Sequence, residues 1–477
     1  MFHDKTMLEA GFPASPAPVD ALQAFAEFDA FPDAHDRRDG SSAFLPPKGV
    51  WFDEGFDLRD PEGGELTQIA LGAIAAVETR IRQRRGPDAA NHRILVRKLL
   101  ANGLRCFYYR NPSLVACQRR HDSYKDKPHQ WLSGKGMASA TDLLAKAGLI
   151  ELSVGKSGTA STYSVTQDLL FMTLDAGVTE RSLTHRLPPE RLVRLYWTNS
   201  EDGLLLNYEP TAETCQWTAI LDDYNAFIAQ QEIGLNLSDS EAARLTARMN
   251  EWQRKGLPRL IQPELIHTDL YRQFNNSSFE QGGRLYGGWW INCPSDLRRW
   301  ITINEKPTAE LDYSGCAIRM LYHERGLECE GDPYLLAPVA AFEAAQGHPL
   351  GHYREAIKKL TQTRINGRER DKDMMCDLPS GRSFSPRFTR DQVVRMIEEK
   401  HAAIADAFGS GAGIWLQRKD SDLALAIITN LSDKGIAALP VHDAFIVDAD
   451  HKEELKHEMI RSYQQMFGFS PVIKQSY

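Results

Sequence analysis

Residues 438–447 read Ala-Leu-Pro-Val-His-Asp-Ala-Phe-Ile-Val. Two apolar runs suited to strands flank a single His-Asp dipeptide, the pattern of a hairpin whose tip presents an acid. That acid is Asp443. A second segment, 309–321, delivers another: a short strand runs to Asp312, and a helix follows with apolar residues on one face. In a third segment Arg354, Lys358, Gln362 and Asn366 recur at steps of four. On a helix that spacing lines all of them along one face.

Together these residue types suit phosphoryl transfer. Charge developing on a triphosphate is stabilised by metal ions and fixed cations while the attacking and leaving oxygens stay in line. Mg²⁺ prefers carboxylate and phosphate oxygens. Two Asp on adjacent strands and an Arg/Lys helix face supply both parts.

The order and spacing resemble family A DNA polymerases and the related single-subunit, phage-type RNA polymerases, over about residues 270–477. Asp312-Tyr313-Ser314 with Arg319 is similar to their motif A, D-Y-S-x-x-E-x-R. Arg354 to Gly367 is similar to motif B, R-x-x-x-K-x-x-x-F-x-x-x-Y-G, and Val441-His442-Asp443 to motif C, V-H-D-E. Gly283-Arg284-Leu285 resembles a T-G-R-L segment and Gln417 with Asp420 to Ala424 a Q-G-x-A-A-D helix, while Gly331 to Tyr334 sits where the family carries a D-x-H element. The resemblance implies an α+β fold: a right-hand polymerase palm of antiparallel sheet with helical fingers. It implies two Mg²⁺ ions, with Mn²⁺ as a substitute, on Asp312 and Asp443 assisted by the Tyr313 carbonyl. Arg354 and Lys358 would hold the β- and γ-phosphates, with Lys358 protonating pyrophosphate. His442 would meet the primer end, and Arg284 and Gln417 the duplex near the nascent pair. Arg364 and Arg368, with Arg370 and Lys372, follow motif B and suit a single-strand template track.

Three departures bear on sugar choice. Ala317 stands where the DNA polymerases have a Glu that excludes the ribose 2′-OH, and Gln362 and Asn366 replace two aromatic fingers residues. Residue size at 317 favours ribonucleotide tolerance, whereas Gln362 or Asn366 offers a polar gate of another design. Both dNTP and NTP remain open as substrates. Ala444 replaces the second acid of motif C, as a Ser does in the phage-type enzymes.

Ahead of this region, 66–84 and 94–104 read as helices, 105–109 as a short strand, and 136–149 as a third helix ending at a glycine. Segments 150–154 and 162–165 flank a glycine-bearing basic turn and read as a hairpin. Three helices and a hairpin are the winged-helix order. Lys135, Lys146 and Lys156 are its candidate DNA contacts. The net charge of -8 is misleading for a nucleic-acid enzyme. Residues 1–65 hold 14 acids and 5 bases, a net of -9, so the remainder carries -8 minus -9, or +1.

The domains expected are an acidic, loosely structured arm (1–65), a winged-helix-like DNA-binding domain (66–172), a helical connector or thumb (173–265) and the palm and fingers (266–477). Nothing before 266 resembles a proofreading exonuclease. No apolar run approaches a membrane span, no signal peptide is evident, and the seven cysteines are scattered. A cytoplasmic enzyme is expected, acting on DNA template and primer in replication or priming of a phage, plasmid or integrated element. The alternatives are an RNA polymerase-like or template-independent polymerase, for instance in defence, and a non-catalytic DNA-binding replication initiator. Oligomeric state is not legible.

Overall fold

The computed structural model describes residues 50–79, 84–108, 114–121, 123–124, 131–156, 159–197, 204–254, 267–367 and 388–477. Helices and strands are mixed, and the sheets are mainly antiparallel. No helix among these residues is long and apolar enough to cross a membrane. The chain divides into two compact units, one of residues 1–53 and 65–177, the other of 54–64 and 178–477.

In the first unit, helices Gly86–Tyr108 and Gly134–Lys146 pack on a four-stranded sheet. Its order is Val50–Trp51, Val115–Cys117, Ser161–Val165, Ile150–Ser153. Leu95, Leu99, Met137, Leu144 and Tyr163 form its core. Ser133 caps the second of these helices by accepting from Gly136 N. Gly148 follows it with φ +74, the left-handed conformation that ends helices. The hairpin and the third helix match the sequence expectation. The strand expected at 105–109 does not: Arg105 to Tyr108 are the last turn of a 23-residue helix, and the strand comes later, at Val115–Cys117. The apolar stripe of Leu95, Leu99 and Leu104 continues helically into Cys106, and that burial overrides the β preference of the aromatic residues. Two short strands and the start of a helix at Glu62 also occupy residues 50–65, which were expected to be a loose arm.

The second unit is built on an antiparallel sheet ordered Ala438–Val441, Ala444–Asp448, Lys306–Tyr313, Ile301–Ile303, Ile233–Leu235. The C-terminal strand Ile473–Gln475 also pairs with Lys306–Tyr313. Ala438–Val441 lies at the edge, and two side chains cover its carbonyls. Tyr224 Oη donates to Ala438 O at 2.7 Å and Trp290 Nε1 to Pro440 O at 3.1 Å. A second sheet runs Ser278–Tyr286, Tyr271–Asn275, Val193–Tyr196, Leu205–Leu206. Helix Gly413–Ser432 packs on the Ser278–Tyr286 strand and on helix Lys452–Phe467.

Residues 173–265 are not the separate helical connector expected. Val193–Tyr196 and Ile233–Leu235 enter the two sheets, and Trp217, Leu221 and Ile228 of helix Ala212–Ile228 lie in the core of the second unit. The sequence reads as strands at 192–197 and 204–208 and as a helix at 219–231, with no sign of the strand Ile233–Leu235. It does not show their partners, which lie far along the chain.

Gly283 marks a tight junction between two strands and a helix. Its φ is +81, and a Cβ there would lie 2.8 Å from Phe274 Cε1 and 3.1 Å from Ser421 Oγ of the Gly413–Ser432 helix. Gly283→Ala is therefore expected to cost about 1–3 kcal/mol. Chemical denaturation should show that loss, whereas Gly326→Ala, with φ +69 but open space around it, should cost less.

Candidate active site

The strand register sets the first two acids side by side. Asp312 ends Lys306–Tyr313 opposite Ala444, and Asp443 occupies the two-residue tip just before Ala444. Tyr313 N donates to Asp443 O at 3.3 Å, which closes the tip against the strand end. His442 takes the left-handed conformation there, with φ 59. A non-glycine residue in that region is held by its surroundings. Burial, then Arg284 and Arg298, push the His442 pKa down to about 4, so its ring is neutral at pH 7.

A third carboxylate joins them. Asp420 is buried on helix Gly413–Ser432, and Arg284 Nε donates to its Oδ2 at 3.2 Å. Asp443 is pushed up to about 7, first by burial, then by the charges of Asp420 and Asp312, with Arg284 opposing. Asp420 is likewise raised, chiefly by burial, against Arg284. Lys474 Nζ, on the C-terminal strand, lies 2.9 Å from Asp312 Oδ2. Three acids thus share one guanidinium and one half-exposed ammonium. Carboxylate oxygens are the ligands Mg²⁺ prefers, and the three acids outnumber the fixed cations beside them. Among the described residues no group of three or more His, Cys, Asp or Glu is placed so that it could hold a metal ion.

Arg319 ties the acid-bearing strand to the next loop. Its guanidinium donates to Ser314 O at 3.0 Å, Cys329 O at 2.6 Å and Gly331 O at 2.7 Å. That loop carries Asp332, which accepts from Arg354 Nε at 2.7 Å. Burial opposes ionisation of Asp332, but hydrogen bonds from Arg354 and Tyr334 N outweigh it and lower its pKa. Arg354 also lies 5.1 Å from the ring centroid of buried Tyr334, whose hydroxyl accepts from Gln362 Nε2 at 3.4 Å. Arg354, Lys358, Gln362 and Asn366 do share the helix Arg354–Asn366. Lys358 is half-buried and makes no ion pair or hydrogen bond among the described residues.

The remaining candidates fall differently. Tyr313 is buried, its hydroxyl donating to Met459 O at 2.7 Å. Ala317 is half-buried in the first turn of Cys316–His323, and Gln417 is half-buried on Gly413–Ser432. Asn366 Oδ1 sits against Gly413, where an added Cβ would collide with it, so this side chain helps dock two helices. Arg364 pairs with Glu398 at 2.7 Å, which engages the charge expected for a template track. Arg368, Arg370 and Lys372 lie outside the described residues. In the first unit Lys135, Lys146 and Lys156 are exposed, and Lys146 donates to Val77 O at 2.7 Å.

Sequence reasoning assigned no role to Asp420, Arg272 or Lys474. Asp420 had a signal: it falls on the apolar stripe of Leu423, Ala424, Ile427 and Leu431, where an acid is out of place. No protein-family model matches this chain, and no curated protein matches it.

The raised Asp443 pKa carries a stability cost with a definite sign. The unfolded carboxyl, with its ordinary value of 3.8, releases its proton before the folded one does at about 7. Stability therefore falls as pH climbs between those values. Melting curves in chelator should show Asp443→Asn more stable than the parent protein at pH 8, with the difference gone at pH 4.

Proposed function

We propose that this chain is a template-directed nucleotidyltransferase, a polymerase or primase-polymerase without a proofreading exonuclease. The observation that carries the reading is the meeting of Asp312 and Asp443 at adjacent strand ends, with Asp420 and Arg284 beside them. Asp312 and Asp443, with the Tyr313 carbonyl, are the groups that would hold Mg²⁺, which when bound neutralises triphosphate charge and activates the primer hydroxyl. Arg354 and Lys358 bind the triphosphate. Asp332 orients Arg354 through their 2.7 Å ion pair, and Lys358, with no carboxylate partner among the described residues, delivers the proton to the leaving pyrophosphate. Neutral His442 meets the primer end, and Arg284 and Gln417 the nascent pair. Ala317 leaves room for a ribose 2′-OH.

The first unit is proposed to bind DNA as a winged helix. Its support is the run of three helices and a hairpin, with a strand before the third helix pairing the hairpin's second strand. Basic Lys135, Lys146 and Lys156 are exposed there. This arrangement suits a replication or priming protein that brings its own DNA anchor.

The direct test supplies NTPs and dNTPs separately to purified protein, with and without template and primer. Magnesium-dependent, template-dependent extension is expected. Asp312→Ala and Asp443→Ala should each abolish it, and Lys358→Ala should slow it about 10²- to 10⁴-fold. Specific DNA binding with no incorporation under any condition would instead indicate a non-catalytic initiator. In the same assay Ala317→Glu should depress ribonucleotide use more than deoxyribonucleotide use, and equal effects on both would remove Ala317 from sugar choice.

A further inference from the structure

Asp312 has a strand on each side. Ala444 is its partner on one, and on the other the strand Ile473–Gln475 sets Lys474 opposite it. The register of that second strand is fixed from both ends. Ser314 N donates to Val472 O at 2.7 Å, and Ser476 N to Glu310 O at 2.9 Å. Further out, Tyr477 Oη donates to Arg298 O at 2.9 Å. The Phe469 ring stacks on buried His323 at 4.4 Å, with 5° between their planes. A one-residue slip would break the ladder and turn Lys474 to the opposite face.

Paired residues of antiparallel strands project on one face, so Lys474 and Asp312 are cross-strand neighbours of opposite charge. Nζ lies 2.9 Å from Oδ2, and Lys474 pairs with no other carboxylate among the described residues. The two side chains differ in exposure: 48% for Lys474 and 20% for Asp312. The ammonium can therefore return to water on its flexible stem at little cost, whereas the carboxylate stays in the site. Arg284 covers an oxygen of Asp420 in the same way, but its side chain is less exposed, at 31%. Two side-chain cations thus stand on oxygens that a divalent cation would use, and Lys474 is the more easily released.

We infer that Lys474 is an internal competitor for the cation site at Asp312: its ammonium must release that carboxylate before a divalent cation can be taken up there. A single charge on a half-exposed stem is a weak, reversible occupant, so the strand lowers metal affinity without abolishing it. This explains why three acids meet here without forming a ready metal site. An ordinary surface ion pair would leave metal binding unchanged when Lys474 is replaced. The inference rests on the polymerase reading for the presence of a metal at Asp312, and it adds a residue outside the segments that resemble motifs A, B and C.

The test follows Mn²⁺ binding to the full chain directly, from the loss of the free-ion electron paramagnetic resonance signal, with no nucleotide or template present. Binding that Asp312→Asn removes is assigned to this site. Lys474→Gln is expected to tighten it about two- to sixfold, the strength of a half-exposed ion pair. Lys474→Arg, which keeps the cation, should bind no more tightly than the parent. In the Asp312→Asn background Lys474→Gln should leave the remaining binding unchanged. Lys452→Gln removes a nearby charge that contacts Gln475 and Glu453, and it should not reproduce the effect. Melting curves check the fold, and Lys474→Met is the second neutral variant. If the parent extends primers but Lys474→Gln binds Mn²⁺ no more tightly, or Lys452→Gln tightens it equally, the competition is wrong and the polymerase reading stands. If neither the parent nor Lys474→Gln binds Mn²⁺ at Asp312, the competition is overturned, and a parent that also fails to extend primers removes the polymerase reading itself.

Discussion

A buried guanidinium holds the second unit's site together. Arg272 is fully buried, and it donates to Gly283 O at 2.8 Å, Ser421 Oγ at 2.5 Å and Asp422 Oδ1 at 2.6 Å. Trp217 and Phe274 flank it at 4.6 and 4.9 Å. Burial lowers its pKa to about 10, so it remains a cation at neutral pH. A charge in that position is tolerable only with its partners in place, and removing one partner of such a pair typically costs about 3–5 kcal/mol. Asp422 is held in turn by Arg418, which also lies 4.8 Å from the Trp217 ring. The Ser278–Tyr286 strand therefore cannot slide along the Gly413–Ser432 helix without exposing an unpaired charge.

That constraint is what brings Arg284 to Asp420. Arg284 follows Gly283 directly, and Asp420 precedes Ser421, so each is one residue from a group that Arg272 holds. Half-buried Arg284 then serves as the counter-charge for two acids that would otherwise repel in a poorly solvated site. The price is visible in the upward-shifted pKa values of Asp420 and Asp443. Such strain is common where a site must attract a cation or a reacting group: the energy withheld from folding is available to the ligand.

The two networks differ in purpose. The Arg272 cluster matches its charges, Arg272 and Arg418 against Asp422 and Glu213. The carboxylate cluster is open, with more acid than fixed base, and its nearest mobile cation is the half-exposed Lys474.

Much of the site was legible in the sequence because it is local. Two apolar runs around His442-Asp443 specify a hairpin and its tip, and a step of four specifies which residues share a helical face. Both follow from fixed backbone periodicities. The order of segments 309–321, 354–366 and 438–447 along the chain therefore nominated Asp443 and Asp312. Asp420 stood out only as an acid on an apolar stripe, and the roles of Asp420, Arg272 and Lys474 were not legible, because their partners Arg284, Asp422 and Asp312 lie 136, 150 and 162 residues away. Nor could the sequence show that Val193–Tyr196 and Ile233–Leu235 belong to the sheets of the second unit, since a short strand carries no mark of its partner. Backbone periodicity, written in the sequence, determined which acids stand at strand ends. Tertiary packing alone decided how many acids meet, which cation faces them and how far their protons are held, because those depend on burial and on distances between remote segments.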